Sequence, residues 1–308
     1  MNSEMTAAGS LPKLAVLVNT CDKFEDCWEP FFVLWRKFGI RILPHTIYLN
    51  TERKTFKFGD IPIRSLRVCS ENGWTGSRPP TWSWCLARAL DAIPEPLVLY
   101  LQEDYFLTQA INETWLSETL ERLEDDSRIG CIHLTRIAIR RTLPAPELPG
   151  LLRGNPRDWY FVSCQAAVWR KVTLRALLRM HEDAWQFERW ASKRARQLGC
   201  RFYVPARAAT PMPPIDYVKT GIVQGKWLPA VVPLFREHGI DVDFSRRGFY
   251  VGKYGKKENG WFRWQWNRAR YNIMAFAARF IWPPKSLFEI LSPRRRKREK
   301  NSIFHENI

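Results

Sequence analysis

The 308-residue sequence contains no uninterrupted apolar run near the ~18–20 residues that a bilayer-spanning helix needs. Its first residues, MNSEMTAAGSLPK, lack the charged-then-apolar pattern of a secretory signal. The phosphate-binding pattern G-x-x-x-x-G-K-[ST] is missing, and no G-x-G-x-x-G follows a predicted strand. We therefore expect neither an ATPase nor a dinucleotide-binding enzyme, and we expect a cytoplasmic protein that does not cross a membrane.

Closely spaced cysteines are also lacking. The seven cysteines are scattered, none forms a C-x-x-C pair, and most have apolar neighbours. Zinc knuckles and disulfide frameworks need paired cysteines, whereas isolated thiols among apolar residues are typical of a protein core. The pattern predicts buried free thiols and a reducing compartment.

Acidic residues are in short supply, since 31 Asp and Glu stand against 48 Lys and Arg, which gives a formal net charge of +17. Such an excess favours an anionic partner, namely nucleic acid, anionic lipid or a phosphorylated substrate. The 15 tryptophans are the other unusual feature. Trp together with Arg suits membrane interfaces and sugar-stacking surfaces.

What the sequence does contain is an alternation of apolar strands and amphipathic helices. Short apolar runs typical of strands buried on both faces occur at 14–18, 46–49, 97–101 and 129–134. Helical spacing fills the intervals, and a further strand and helix are predicted near 160–162 and 173–180. The alternation predicts an α/β fold in which helices flank a mixed, mostly parallel sheet.

The first two predicted strands and the strand at 97–101 end in polar residues. These ends read Thr20-Cys21-Asp22, Asn50-Thr51-Glu52 and Glu103-Asp104. In open α/β sheets the ligand lies beyond the carboxyl ends of the strands, so we expect all three ends to face one crevice. Carboxylate oxygens at a strand end can bind a divalent cation, although a strand-ending Asp also caps turns in many α/β proteins.

The C-terminal part of the sequence differs in character. Between Trp261 and Trp282 an aromatic stripe at helical spacing is flanked by arginines, and the basic run Arg294–Arg298 follows. This pattern is typical of a helix in a membrane interface beside a cluster that binds anionic lipid. Nucleic-acid binding through the same charges, and packing of the stripe on the protein's own core, are the alternatives.

The order of these elements resembles the GT-A fold of nucleotide-diphospho-sugar transferases. The segments VLYLQEDYFL, YFVSCQAAVWRKVTLRALL, AWQFERWAS and TGIVQGKW are similar to those of bacterial GT-A-like glycosyltransferases of surface-polysaccharide synthesis. The resemblance covers roughly residues 13–250, which we expect to form a GT-A-like (Rossmann-like) domain. It leaves residues 251–308 as a basic, aromatic, membrane-associating helical extension.

In GT-A enzymes a D-x-D motif holds Mn²⁺ or Mg²⁺ on the donor diphosphate. By position Asp104 matches the last residue of that motif, and Gln102 replaces the first, so a metal would depend on Asp104 helped by Glu103 or by His238. Alternatively, His238 is an ordinary loop histidine. Donor contacts are expected from Thr20, Asp22, Glu52, Arg78, Glu103 and Lys226. Each of these, taken singly, can also be a solvated surface residue.

The resemblance implies that Glu188 is the general base. An inverting transferase must remove the acceptor hydroxyl proton as the anomeric carbon is attacked, and in the family this base lies at the helix start after the acceptor-side strand. Glu182 and Asp183 are nearby competitors, and a helix-start carboxylate also stabilises its own helix. Of Trp185 and Trp190, which flank Glu188, we expect one to contact sugar and the other to pack in the core.

Together these features predict a nucleotide-sugar-dependent glycosyltransferase, in particular a hexosyltransferase. We expect a saccharide or lipid-linked acceptor in cell-surface polysaccharide synthesis, with residues 261–300 on the anionic inner face of the cell membrane. A nucleic-acid partner is not expected. A basic nucleic-acid-binding protein and a non-catalytic membrane-surface scaffold are the alternative functions.

Overall fold

The structure, a computed structural model, describes residues 14–252 apart from 77–78, 137, 159, 211 and 219. Arg78 lies outside the described residues. So does the predicted extension 251–308, including the membrane-associating segment 261–300, except for its first two residues. None of the described helices combines the length and the apolar character needed to cross a bilayer.

Strands and helices alternate along most of the described chain, as the sequence predicts. The strands are β1 (Leu14–Asn19), β2 (His45–Asn50), β3 (Ile63–Ser65), β4 (Leu97–Gln102), β5 (Ile129–His133), β6 (Thr142–Pro144), β7 (Leu151–Gly154), β8 (Ala167–Arg170), β9 (Arg201–Pro205), β10 (Ile222–Val223) and β11 (Lys226–Trp227). The α-helices are α1 (Trp28–Phe38), α2 (Val68–Glu71), α3 (Trp82–Ala92), α4 (Glu113–Asp125), α5 (Lys171–Leu177), α6 (Ala184–Gln197) and α7 (Val231–Glu237). Short 3-10 helices occupy Asp22–Cys27 and Phe244–Arg246.

Among the described strands, nine form one sheet in the order β3-β2-β1-β4-β8-β5-β9-β7-β6. Strands β7 and β8 run opposite to the other seven. The sheet is therefore mixed, with most strands in one direction, and the predicted α/β class is confirmed. Strands β10 and β11 form a separate antiparallel hairpin.

Helices cover both faces of this sheet. Alternate residues of a strand point to opposite faces, and neighbouring residues of β4 illustrate the result. Leu99 belongs to the core that contains Phe31 of α1, whereas Tyr100 lines a small recess together with Leu86 of α3 and Phe187 of α6. Burial on both faces explains why all six residues of β1 are buried and why the strand sequence does not alternate.

The predicted strand near 160–162 is wrong, because the regular strand lies later, at β8. Side chains of α6 satisfy backbone N–H groups of the earlier segment and take the place of a neighbouring strand. The Val162 N–H donates to Ser192 Oγ (2.9 Å) and the Cys164 N–H donates to Glu188 Oε1 (2.8 Å). The predicted helix near 173–180 corresponds to α5, which begins and ends a few residues earlier.

The start of α6 is held by two carboxylates that precede it. Asp183 forms a capping box with Gln186. Glu182 is buried and receives two hydrogen bonds from the Arg194 guanidinium, at 2.7 and 2.6 Å. Both alternatives to Glu188 as a general base are therefore engaged in contacts that stabilise this helix.

We predict that Glu182→Gln lowers the free energy of unfolding by about 3 kcal/mol, because the largely buried Arg194 charge loses its counter-ion. The matched control is Asp60→Asn in the solvent-exposed Arg36–Asp60 pair, which should leave the stability nearly unchanged. Urea denaturation of both variants measures the difference. Equal stability of the two variants would contradict a special contribution of the buried pair.

Candidate functional site

The carboxyl ends of β1, β2 and β4 carry a row of hydrogen-bonded polar side chains, here called the polar row: Asn50, Asn19, Tyr100 and Gln102. The pairing register aligns Asn19 with Asn50 on one side and with Gln102 on the other. Asn50 Nδ2 donates to Asn19 Oδ1 (2.8 Å), and the amide groups of Asn19 and Gln102 both contact the Tyr100 hydroxyl, at 3.3 and 3.2 Å. The row gives the end of an otherwise apolar sheet face a line of donors and acceptors.

Thr20, Asp22 and Glu52 lie together at this edge, as the sequence predicts. The Glu52 N–H donates to Asp22 Oδ1 (3.0 Å) and the Asp22 N–H donates to Glu52 Oε2 (3.1 Å), so the two residues join the ends of β1 and β2. Thr20 Oγ1 accepts a hydrogen bond from Trp28 Nε1 (2.9 Å). Burial raises the pKa of Glu52. These contacts hold Asp22 and Glu52 together beside Thr20 at the sheet edge, and a crevice there and a role in donor binding stay predictions.

Asp104 anchors the β10–β11 hairpin to the end of β4. Its buried Oδ2 accepts hydrogen bonds from the N–H groups of Gly221 and Ile222, both at 3.1 Å, and from the Thr220 hydroxyl. A side chain at Gly221 would put Cβ 2.1 Å from a ring carbon of Phe106, so this close approach requires glycine. Burial raises the pKa of Asp104, and the three hydrogen bonds oppose that rise.

The segment around Lys226, an expected donor contact, is the β10–β11 hairpin. Gln224 and Gly225 at its tip both have positive φ, at 52° and 78°, as a type I′ turn requires. Trp227 on β11 is fully buried and packs near Phe106, whereas Lys226 is exposed. A role for Lys226 as a phosphate contact stays a prediction.

Glu103 differs from Asp104 in its partners. The residue is half-buried, its own backbone N–H contributes a hydrogen bond to the carboxylate, and the nearby Arg247 guanidinium attracts it. Burial and the neighbouring Asp104 carboxylate raise the pKa of Glu103 well above its usual range.

A buried Arg247–Asp26 pair near Glu103 is the element that the sequence analysis missed. The Arg247 guanidinium donates to both carboxylate oxygens of Asp26, at 2.6 Å from Nε, and contacts the Gly225 carbonyl at 3.4 Å. Attraction to Asp26 raises the pKa of Arg247. The pair is separated by 221 residues, so no local sequence pattern indicates it.

A Mn²⁺ or Mg²⁺ ion that accompanies a diphosphate is commonly held by one or two protein carboxylates together with waters and substrate phosphates, and the carboxylate predicted for this role, that of Asp104, is engaged in other contacts. Asp104 Oδ2 already accepts three protein hydrogen bonds. His238 lies instead against Phe38 and 3.1 Å from Lys37 Nζ. Within the described residues, no group of three or more His, Cys, Asp or Glu side chains is placed to hold a metal. The predicted metal site at Asp104 therefore gains no support, and we derive no step through a metal.

Glu188 and the end of β4 converge on the peptide groups of Cys164. Glu188 Oε1 accepts a hydrogen bond from the Cys164 N–H (2.8 Å), and the hydroxyl of Tyr105, which follows Asp104 in the chain, donates to the Cys164 carbonyl (3.0 Å). Cys164 also lines the recess that contains Tyr100 of the polar row. The candidate base and the carboxyl edge of the sheet are therefore connected through one residue.

Glu188 is the fifth residue of α6 and lies beyond the first turn, so the helix dipole does not account for its properties. Burial raises its pKa, and hydrogen bonds from the Cys164 N–H and the Ser163 hydroxyl oppose that rise. The side chain nevertheless keeps some solvent exposure. A carboxylate whose pKa is raised is a stronger proton acceptor than a solvated glutamate.

The two tryptophans that flank Glu188 differ in exposure. Trp185 is 78% exposed. Trp190 is half-buried, with the Arg189 guanidinium 5.4 Å from its ring centroid. Trp185 is therefore the one available to a ligand.

No protein-family model matches the sequence, and a search of curated proteins finds no match. Among solved structures, the chain is similar to a mannosyltransferase from Pyrobaculum calidifontis in complex with GDP-Man and Mn²⁺, with a TM-score of 0.44 and 13% identity over 70% of this chain and 58% of that one. It is also similar to S. aureus TarS, residues 1–349, with a TM-score of 0.39 and 12% identity over 62% and 57% of the two chains. The chain thus spans less than two thirds of either protein, and these similarities concern the fold alone.

We predict that Asp104→Ala releases the hairpin, because three donors lose their common acceptor. Amide hydrogen exchange should accelerate by about tenfold or more over residues 220–228, since an unmet buried donor costs roughly 1–3 kcal/mol. Asp104→Asn should keep most of the protection, because its carbonyl oxygen can occupy the Oδ2 position. Glu103→Gln is the control and should leave the hairpin unchanged. Equal exchange in wild type and Asp104→Ala would contradict the anchoring role.

Proposed function

We propose that the protein is a glycosyltransferase that moves a sugar from a nucleotide-sugar donor to an acceptor hydroxyl. The observation that carries the proposal is the convergence of Glu188 and the carboxyl end of β4 on Cys164. It brings a carboxylate with a raised pKa to the edge of an α/β sheet at which ligands bind. The resemblance of the sequence segments to GT-A-like transferases supports the same assignment.

In this proposal the donor lies along the carboxyl edge of β1, β2 and β4. The polar row, with Thr20, Asp22 and Glu52 beside it, offers hydrogen-bonding groups for a base and a ribose. Glu103 contacts the donor sugar as an acceptor. Lys226 on the hairpin and Arg78 supply positive charge for the diphosphate.

Glu188 acts as the general base. It takes the proton of the acceptor hydroxyl while that oxygen forms a bond to the anomeric carbon of the donor. The bond between the anomeric carbon and the diphosphate oxygen breaks with its electron pair, and the nucleoside diphosphate leaves. One base and one displacement invert the configuration of the anomeric carbon. Because burial raises the pKa of Glu188, this carboxylate holds a proton better than a solvated one does.

We propose the acceptor, the pathway and the membrane location from the sequence. Transfer of a hexosyl group to a saccharide or lipid-linked acceptor in cell-surface polysaccharide synthesis agrees with the resemblance. The aromatic and basic pattern of residues 261–300 supports attachment to the anionic inner face of the cell membrane.

We predict that Glu188→Gln lowers kcat for sugar transfer or donor hydrolysis by roughly 10²–10⁴-fold, because the amide cannot accept the hydroxyl proton. The measurement is release of nucleoside diphosphate from UDP- and GDP-linked sugars and of CMP from CMP-linked sugars. A thermal-shift screen first identifies the donor, because binding to the native state raises the melting temperature.

The matched control for that variant is Asp183→Asn, at the N-cap residue that precedes α6. Asn caps a helix about as well as Asp, so this variant should retain wild-type activity and stability. Full turnover in a correctly folded Glu188→Gln protein would remove the proposed base. If no nucleotide-sugar is bound or turned over by wild type, the transferase assignment itself fails.

The pH dependence supplies an independent prediction. A general base works only when ionised, so activity should fall as the pH drops through the pKa of Glu188. Because burial raises that pKa, the acidic limb of kcat/KM should lie above the usual range of a glutamate. The residual activity of Glu188→Gln should lose this limb. A limb at the same pH in both proteins would assign it to another group.

A further inference from the structure

Trp185 is the most exposed of the described tryptophans, with 78% of its surface open to solvent. Tryptophan is highly buried on average in folded proteins. Among the described residues, no aromatic ring or cation packs against its indole. An indole left bare in this way carries apolar area that a ligand can cover.

Its position relates it to the candidate base. Trp185 and Glu188 are three residues apart on α6, and residues at this spacing are neighbours on one side of a helix. Met180, 38% exposed, lies in the turn before the helix, and its carbonyl accepts a hydrogen bond from the Thr81 hydroxyl at the start of α3. Half-buried Trp82 on α3 packs behind this surface, against Phe187 of α6. The start of α6, which carries Trp185, is therefore held against the start of α3.

The surroundings of Trp185 select the chemistry of the ligand. Its chain neighbours Asp183 and Gln186 are polar, and their side chains hydrogen-bond to each other's backbone N–H groups in the capping box, so the ring is a single apolar group at a polar helix start. A lipid surface calls for a continuous apolar stripe with basic flanks, which this part of α6 does not offer. A pyranose has the complementary form, because its ring presents an apolar C–H face and a rim of hydroxyl groups.

We propose that Trp185 is the acceptor platform, on which a pyranose ring of the acceptor stacks so that one of its hydroxyl groups reaches Glu188. The inference rests on the proposed transferase function and specifies its acceptor. The acceptor is a glycan, recognised through its sugar ring, and neither a lipid alcohol nor a protein side chain. Stacking on the indole orients the hydroxyl group towards the base before the donor is attacked.

The test is sugar binding in the absence of donor, so that it does not depend on turnover. Saturation-transfer NMR of the full-length protein with cellohexaose, chitohexaose and maltohexaose measures contact between ring protons and protein. We expect wild type to bind at least one of these. Trp185→Ala should bind it on the order of tenfold more weakly, and Trp185→Phe, which keeps an aromatic face, should retain most of the binding. Ile42→Ala, at an apolar residue that is 83% exposed elsewhere, is the control and should bind as wild type does.

Two results would overturn the platform. One is equal binding by wild type and Trp185→Ala, and the other is a wild type that binds none of the three hexaoses. Donor turnover by wild type is measured separately and tests the transferase function. Sugar binding that depends on Trp185 in a protein without donor turnover would leave the platform standing and reject the transferase.

Discussion

The in-register pairing of β1 with β2 and β4 is the constraint on which the candidate site depends. Asn19, Asn50 and Gln102 are aligned, so three parallel strands end at the same level and present their polar ends together. A slip of one residue would turn each strand over, because neighbouring side chains point to opposite faces. The hydrogen bonds that join Asn50, Asn19, Tyr100 and Gln102 would be lost in such a slip, so they hold the register.

The parts of the fold that were predictable from the sequence are those with local signals. Continuous apolar runs indicated β1, β2, β4 and β5, and the polar residues after them indicated the ligand-binding edge. The prediction of a strand near 160–162 failed because an apolar segment can also have its backbone hydrogen-bonded to the side chains of a helix. In this segment Ser192 and Glu188 satisfy the backbone, and neither contact leaves a pattern in the segment itself.

The positions of the candidate residues were predictable from the sequence. Their roles were much less predictable. Asp104 and Glu103 were predictable at a strand end, but only the tertiary structure shows that three donors from residues 220–222 bind one oxygen of the Asp104 carboxylate. The solvent exposure of Trp185 could not be predicted from the sequence either, because its sequence neighbourhood resembles that of Trp190. Contacts between distant segments, such as Arg247 with Asp26, have no counterpart in spacing or composition.

The adjacent carboxylates of Glu103 and Asp104 at the end of β4 thus differ in role because their environments differ. Asp104 holds the hairpin, whereas Glu103 has a pKa raised by burial and by the neighbouring Asp104 carboxylate. Glu188 reaches the same region from a helix on the other side of Cys164. Each carboxylate has a distinct set of partners, although all three have raised pKa values for the same reason, which is burial.

The link between Asp104 and the hairpin also has a consequence for biosynthesis. Its partners lie 116 to 118 residues later in the chain, an interval that a ribosome needs on the order of ten seconds to translate. Until then the end of β4 has an unsatisfied carboxylate and the ring of Phe106 lacks its cover. The nascent protein therefore completes this contact only after almost the whole described chain has been synthesised.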